Sequence, residues 1–538
     1  MNRLCTGMRI EPPRGGRRSP VPNLVAALVC PTLVLAICAS AGCARNPVTG
    51  RPDAVLTTEQ GEIDQGNEAA KAVAEQIGFV DSPELAAYVE ALGQRLAGRS
   101  PRAGLAHSFQ VVQMREPNAF ALPGGHIYVS RGLLALVNSE DELANVIGHE
   151  IAHVAARHSV TRQAANAPMI PVRILAGLGG AAASIVSPSI GRMVSGVGQL
   201  PGEVALAAYS RDQEREADRL GQQFAAAAGF DPAAMASFMN SLSREEALAG
   251  QEPGRVTFLA SHPRSPERSD AAVTRAKDMS SAIGEPPPLE RKEFLARIEG
   301  LPVGDSAAEG VFLENRFLHP LLGVGLEFPE GWKPVNTPAA VAALQPNQLG
   351  QVVVEVVAEG TDPMEQALAF DREIPLIGEP KRLEIAGLSA VQADVDVGAR
   401  SERMRVLMTW IAHDGRIYRI SGGSSRRHFE PLRPTFVAAA ESFHVLDQTE
   451  RNEILQDTLR VAIAEPGEDL AALGKRTGNR WSVEATAVAN GLEIEAPLVP
   501  GSLIKIAVGE PYVAKAPEPG KESAGEAGQE SDTPPPAP

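Results

Sequence analysis

The run Asp141-Glu142-Leu143-Ala144-Asn145-Val146-Ile147-Gly148-His149-Glu150-Ile151-Ala152-His153-Val154 narrows what this chain can fold into more than any other segment. Apolar Leu143, Val146, Ile147, Ile151 and Val154 recur with a helical period and predict a helix with one buried stripe. On that helix His149 and His153 share a face, so both imidazoles can meet one metal ion. Two neutral imidazoles plus a carboxylate suit zinc, one ion per chain, with a further position left to water. Glu150 is next to the first histidine and can reach that water without joining the ligand set, as a general base must.

A carboxylate ligand has to come from elsewhere, and Ser210-Arg211-Asp212-Gln213-Glu214-Arg215-Glu216-Ala217-Asp218-Arg219-Leu220-Gly221 offers one. Glu214 and Asp218 share one face of a predicted helix. Glu214 can be the third ligand, while Asp218 can hydrogen-bond the far nitrogen of a liganding histidine and hold its tautomer. Glu216 is the rival ligand but lies on another face. Taken alone, the stretch also fits a solvated charged helix; beside the histidine pair it gains weight.

The four cysteines, Cys5, Cys30, Cys38 and Cys43, all lie in the first 43 of 538 residues, so disulfides are excluded from the body. A formal charge of −16 with no basic cluster beyond the N-terminus argues against nucleic-acid partners. Arg3, Arg9, Arg14, Arg17 and Arg18 precede an apolar run over 24–37, then Ser40-Ala41-Gly42-Cys43. Residues 1–42 resemble a bacterial lipoprotein signal peptide, which implies lipidation of Cys43 and a membrane held through that lipid.

Residues 43–281 read as one mainly α domain with a small β-sheet. Amphipathic helices are expected at 68–77 and 83–96, with strands at 109–112 and 126–129 around the turn Pro123-Gly124-Gly125. An insert over 164–208, rich in Ala, Gly, Ile and Val, separates the two motif helices. Residues 282–311 read as a linker. An α/β domain is expected over 312–447, with strands at 323–328, 351–357, 405–412 and 416–421 and helices at 362–370 and 434–442. A small βααβ unit follows at 455–508. The Pro-, Glu-, Gly- and Ser-rich residues 514–538 read as a disordered tail.

Residues 46–276 resemble the HtpX/BepA-type zinc peptidases, a group that includes the CAAX prenyl protease. The matching pieces are Asn46-Pro47-Val48-Thr49-Gly50, Asn118-Ala119-Phe120-Ala121-Leu122-Pro123-Gly124-Gly125 and the two motif helices. The resemblance implies a zincin-type metallopeptidase domain in which His149, His153 and Glu214 bind zinc, Glu150 is the catalytic base and Asp218 supports a ligand. It also implies that the strand after Gly125, with His126 and Ile127, is an edge along which peptide substrates align. Ser261-His262-Pro263 matches a further family motif, which implies that His262 stabilises an oxyanion or closes the open metal position in a latent state. His126 and His158 otherwise read as structural or solvent-facing, Arg211 as a partner for a carboxylate near the site, and 164–208 as a lid.

The 312–447 region resembles PsbP-like domains, and the 455–508 unit resembles a LysM module, which implies binding to peptidoglycan. The function expected from these resemblances is a zinc metalloendopeptidase of the bacterial envelope. It would face the periplasm from the outer membrane, with misfolded or stalled envelope proteins as substrates. The competing expectations are a chaperone-like factor with a plugged zinc site and a peptidoglycan-binding scaffold.

Overall fold

The computed structural model describes residues 43–50, 52–54, 57–166, 208–250, 257–263, 266–279, 287–337, 339–347, 349–398 and 403–513. The expected signal peptide, most of the lid and the tail lie outside these residues.

A short antiparallel pair, β1 (Cys43–Arg45) and β2 (Pro52–Ala54), opens the chain. Helices α1 (Glu59–Gln76) and α2 (Pro83–Ala97) follow, each started by a hydroxyl cap, Thr58 and Ser82. Next come β3 (Ser108–Val112), β4 (Ala119–Ala121) and β5 (His126–Ser130), with β5 running parallel to β3 and antiparallel to β4. Then α3 (Arg131–Leu136), α4 (Glu140–Ala155), α5 (His158–Asn166), α6 (Arg211–Ala227), α7 (Ala234–Ala249), α8 (Phe258–Ser261) and α9 (Pro266–Asp278) complete the first region.

Helix α4 starts where the Ser139 hydroxyl accepts from the Glu142 amide, and Glu140, Asp141 and Glu142 place negative charge at its positive end. It carries no single buried stripe. Every residue from Glu142 to Ala155 is buried, because α2, α6, α7 and β4 pack around it. An apolar stripe identifies one packed face; it does not reveal that small and polar residues on the other faces are enclosed too.

The expected linker over 282–311 is corrected by the structure. Helix α10 (Arg291–Ile298) buries Phe294, Leu295 and Ile298, and Leu301 and Val303 follow them into the core of the first region. The Pro-rich approach suggested a spacer, but the spacing of Phe294, Leu295 and Ile298 is that of a docked helix face.

The second region holds two antiparallel sheets. In the four-stranded sheet the order is β16 (His444–Val445), β8 (Val324–Glu327), β7 (Arg316–His319) and β6 (Val311–Leu313). The seven-stranded sheet is built from β9 (Lys333–Thr337), β10 (Ala340–Leu344), β11 (Gly350–Glu359), β12 (Leu376–Ile385), β13 (Leu388–Val397), β14 (Met404–His413) and β15 (Arg416–Ser425). Its order is β12-β13-β14-β15-β11-β10-β9. Period-two alternation sorts β14 between two cores: Leu407 and Ile411 face helix α12 (Arg426–Glu441), while Val406, Met408 and Trp410 face helix α11 (Pro363–Glu373). The β14–β15 hairpin turns at Asp414 and Gly415, with φ of 48° and 71°.

After helix α13 (Gln448–Glu453), the last unit runs β17 (Leu455–Ile463), α14 (Leu470–Thr477), α15 (Val483–Asn490) and β18 (Leu503–Pro511), its strands antiparallel. It is docked on the first region. Leu459, Val488 and Ala507 belong to the same core as Val89, Ile147 and Phe224. The ammonium of Lys505 donates to the carbonyl oxygens of Ala135, Leu136 and Val137 at 2.8, 3.1 and 2.7 Å, closing the end of α3.

Candidate metal centre

His149 and His153 lie one turn apart on α4, and their Nε2 atoms approach to 3.0 Å. Helix α6 starts with a capping box between Ser210 and Gln213, which sets Glu214 in its first turn, facing α4. Glu214 Oε1 lies 3.5 Å from His153 Nε2, and its Oε2 lies 3.7 Å from His149 Nε2. His262, just after α8, brings Nδ1 to 2.9 Å from Glu214 Oε1 and 3.2 Å from His149 Nε2. One donor atom from each of these residues falls within 4.8 Å of the others, and all four side chains are buried.

A cation suits this donor set. Asp218 Oδ1 is 3.1 Å from His149 Nδ1, so a ring proton is assigned there; burial opposes charge on this ring, yet Asp218 and Glu214 raise its pKa, the mark of a site that calls for positive charge. Burial drives the pKa of His153 well below its ordinary value, leaving a neutral ring. Burial works against the charge on Glu214, yet His262, His153 and His149 together hold the carboxyl well below the usual range. Converging lone pairs and a carboxylate, shut away from water, repel one another unless a cation is shared between them.

The supporting residues were mostly invisible in the sequence. Arg268 of α9 donates to both oxygens of Asp218, each at 2.7 Å. Its Nη1 also lies 2.7 Å from Glu214 Oε2, an ion pair in distance though outside hydrogen-bond geometry. Arg211, expected to pair near the site, is exposed instead. His158 meets His153 Nδ1 at 3.0 Å and Glu216 at 3.2 Å, so Glu216, the rival ligand, acts one step further out. This placement of His158 needs the chain to reverse at Arg157, whose φ of 56° is left-handed. Glu62 holds Arg157 there with a 3.0 Å bond to its Nε and also binds Arg102. Tyr209 stacks on His153 with centroids 3.9 Å apart, and Phe258 stacks on His262 at 4.2 Å. An HisxxxxHis spacing across 153–158 was a usable signal for His158; nothing local pointed to Arg268.

Glu150 is fully buried, and among the described residues neither carboxylate oxygen closes a hydrogen bond. Burial raises its pKa, offset in part by His262, whose Nε2 is 3.5 Å from Oε1, and weakly by the Ala121 amide.

The expected substrate edge is corrected by the sheet order β3-β5-β4. Strand β5 is central, so Gly125, His126 and Ile127 do not form an edge. Ile127 is buried, and the His126 ring is held by Ser108 at 2.9 Å and Asn67 at 3.0 Å. The edge beside α4 is β4. Its bonds to β5 run from Leu122 N to His126 O and from Ser130 N to Asn118 O, so the alternating backbone groups of Ala119 and Ala121 point away from the sheet. Three residues are too few for alternation to mark β4 in a sequence.

Residues 83–276, which hold both motif helices and His262, match the sequence profile of Peptidase family M48. The chain carries an M48 peptidase domain. A putative beta-barrel assembly-enhancing protease of Vibrio cholerae is 31% identical over 257 residues, covering 45% of this chain and 52% of that protein. The beta-barrel assembly-enhancing protease of Escherichia coli is 30% identical over 206 residues, or 38% of this chain and 42% of its own. Mitochondrial metalloendopeptidase OMA1 of Schizosaccharomyces pombe is 33% identical over 181 residues, 34% of this chain and 50% of that one. These matches span about half the length of the relatives or less. The solution structure of PsbP from Synechocystis aligns with 27% of this chain and 98% of its own at 15% identity, with a TM-score of 0.21. That score does not decide the PsbP-like expectation for 312–447.

Proposed function

We propose that the M48 domain is a zinc-dependent endopeptidase acting on misfolded or stalled proteins of a bacterial envelope. One observation carries the chemistry: four side chains of zinc-ligand type converge in a buried site, beside a glutamate whose oxygens close no hydrogen bond among the described residues. In this reading His149, His153 and Glu214 hold the ion, and Asp218, itself gripped by Arg268, fixes His149. Zinc supplies Lewis-acid polarisation of water and of the scissile carbonyl. Glu150 takes a proton from the water as its oxygen bonds to the carbonyl carbon, and returns it to the amine as the C–N bond breaks. A raised pKa suits a group that must accept and then give up a proton near neutrality. Substrate lies extended along β4, with Ala119 and Ala121 offering backbone groups to it.

The substrate class is supported by the printed names of the bacterial relatives, which refer to beta-barrel assembly. Attachment through a lipid on Cys43, a periplasmic face at the outer membrane and glycan binding by the LysM-like 455–508 unit belong to the same proposal. The basic, apolar and small-residue order before Cys43 supports the anchor. Among the described residues no helix is long and apolar enough to cross a membrane.

A second reading has its own observation. His262 Nδ1 sits among the ligand atoms, where a fourth ligand would shut out water, so the resting protein is latent or serves mainly as a holding factor. Zinc content and casein cleavage, measured together for the chain starting at Ala44 and its Glu150→Gln and His262→Ala variants, separate these readings. Cleavage by the parent and none by Glu150→Gln, with one zinc in each, is the expected result. A gain in His262→Ala marks the latch; a parent without zinc overturns the peptidase reading.

A further inference from the structure

Cys43, the residue read as lipidated, already belongs to the fold. It pairs with Ala54 across β1 and β2, and only Ala44 and Arg45 separate it from Asn46. Asn46 is buried, and its turn is locked. Its Oδ1 accepts from the amides of Val48 and Thr49 at 2.8 and 3.0 Å, and its carbonyl accepts from the Gly50 amide at 2.8 Å. Val48 packs against the core that holds Val89 and Ile147.

This turn is fastened to the helix of the metal centre. Helix ends leave their last carbonyls to outside partners, and Asn46 Nδ2 donates to the carbonyl of Ala156, the C-cap of α4, at 3.4 Å. Strand β2 lies against α5, and the chain beyond it enters α1, whose Glu62 bonds Arg157, the residue after that cap. Both strands of the hairpin are therefore tied to one end of α4, and His153 stands three residues before Ala156.

The spacing bounds the reach of the site. Three extended chain steps cover at most about 11 Å, and three helical residues rise about 5 Å. With the side chains and the hydrogen bond between them, the ligand atoms of His153 lie within about 30 Å of Cys43, however the domain turns on its anchor. A flexible linker of about 40 residues would alone add about 35 Å of r.m.s. span.

We propose that the metal centre works against the lipid surface, taking polypeptide segments within about 30 Å of it, above all the stretch of a membrane-attached protein next to its own anchor. Enzyme and substrate on one bilayer meet at a raised effective concentration, whereas a segment held farther out on a rigid stalk is beyond reach. This substrate class rests on the lipid and peptidase readings given above.

The test uses the full lipidated chain in phosphatidylethanolamine–phosphatidylglycerol vesicles, beside a variant with a Gly/Ser linker of about 40 residues inserted after Cys43. All four cysteines lie at or before Cys43, so Arg211→Cys, at an exposed position three residues from Glu214, gives the body a single thiol for a donor dye. Energy transfer to rhodamine-labelled lipid, read with Glu150→Gln so that hydrolysis plays no part, is expected to fall about two-fold on linker insertion. Two lipid-anchored reporters carry an unfolded casein segment, either directly at the anchor or beyond a helical Glu-Ala-Ala-Ala-Lys-repeat stalk about 75 Å long. The parent is expected to cut the near reporter about ten-fold faster or more, and the linker variant to narrow that gap. Equal transfer in the two proteins, or equal cutting of the two reporters by the parent, overturns the proposal. Vesicle flotation and casein cleavage in detergent are read on the same samples. Failure to float overturns the lipid reading and the proposal with it. Floating protein that leaves casein and both reporters intact overturns the peptidase reading, a result distinct from equal cutting of both reporters.

Discussion

Gly148 and Gly221 touch where α4 crosses α6. A Cβ on Gly148 would lie 2.8 Å from the Gly221 carbonyl oxygen, and one on Gly221 would lie 2.7 Å from the His149 amide nitrogen. The helices are therefore as close as their backbones permit, and Glu214 and Asp218, on the same face of α6 as Gly221, reach His149 for that reason. Gly221→Ala has only backbone to push against, so it is expected to cost about 1–3 kcal/mol in urea unfolding and to weaken metal binding at the same time. Unchanged metal affinity in a destabilised variant would separate the crossing from the site.

Asp218→Asn keeps the shape of the side chain but removes the charge facing His149 Nδ1 and half of the pairing with Arg268. Metal affinity, read by competition with a chromophoric chelator, is expected to fall about 10–100-fold. Glu216→Gln acts on His153 only through His158 and is expected to have a smaller effect.

Lys505→Met removes three hydrogen bonds from a dry contact and leaves the Ala135, Leu136 and Val137 carbonyls without these donors. A loss of about 2–4 kcal/mol is expected, seen as a lower urea midpoint. Lys505→Arg is not expected to rescue it, since a planar fork does not fit three acceptors gathered around one point.

His319 supplies a pH signature in the second region. Burial lowers its pKa from 6.5 to about 4, with a backbone contact opposing the shift. Between these values the unfolded chain binds the proton and the folded one does not, so stability is complete above pH 6.5 and declines as pH falls toward 4. Allowing for partial exposure, the loss is expected to be about 1–2 kcal/mol. His319→Gln should flatten that limb in urea titrations at a series of pH values; an unchanged slope would assign the limb to other groups.

The site was legible in sequence as far as helical spacing reaches. His149 with His153 and Glu214 with Asp218 are one-turn pairs, and the structure brings both pairs and His262 together. Arg268 stands 50 positions from its partner Asp218 and belongs to no local pattern. Strand β5 looks like an edge in sequence because β4, which covers it, is too short to show alternation. The helix Arg291–Ile298 looks like linker in sequence because the proline-rich approach masks its three buried apolar residues. Strand order and long-range ion pairs are tertiary facts, and a single sequence states them only where a motif happens to record them.

The docking of β17 and β18 also bears on when this protein becomes whole. A chain released from its amino end first presents Val89, Ile147 and Phe224 long before Leu459, Val488 and Ala507 exist to cover them. A nascent fragment that stops short of β18 lacks the finished core, and contacts of such long range are slow to form. The carboxyl-terminal unit thus acts as a late keystone, and the core of the first region closes only once β17 and β18 have joined it.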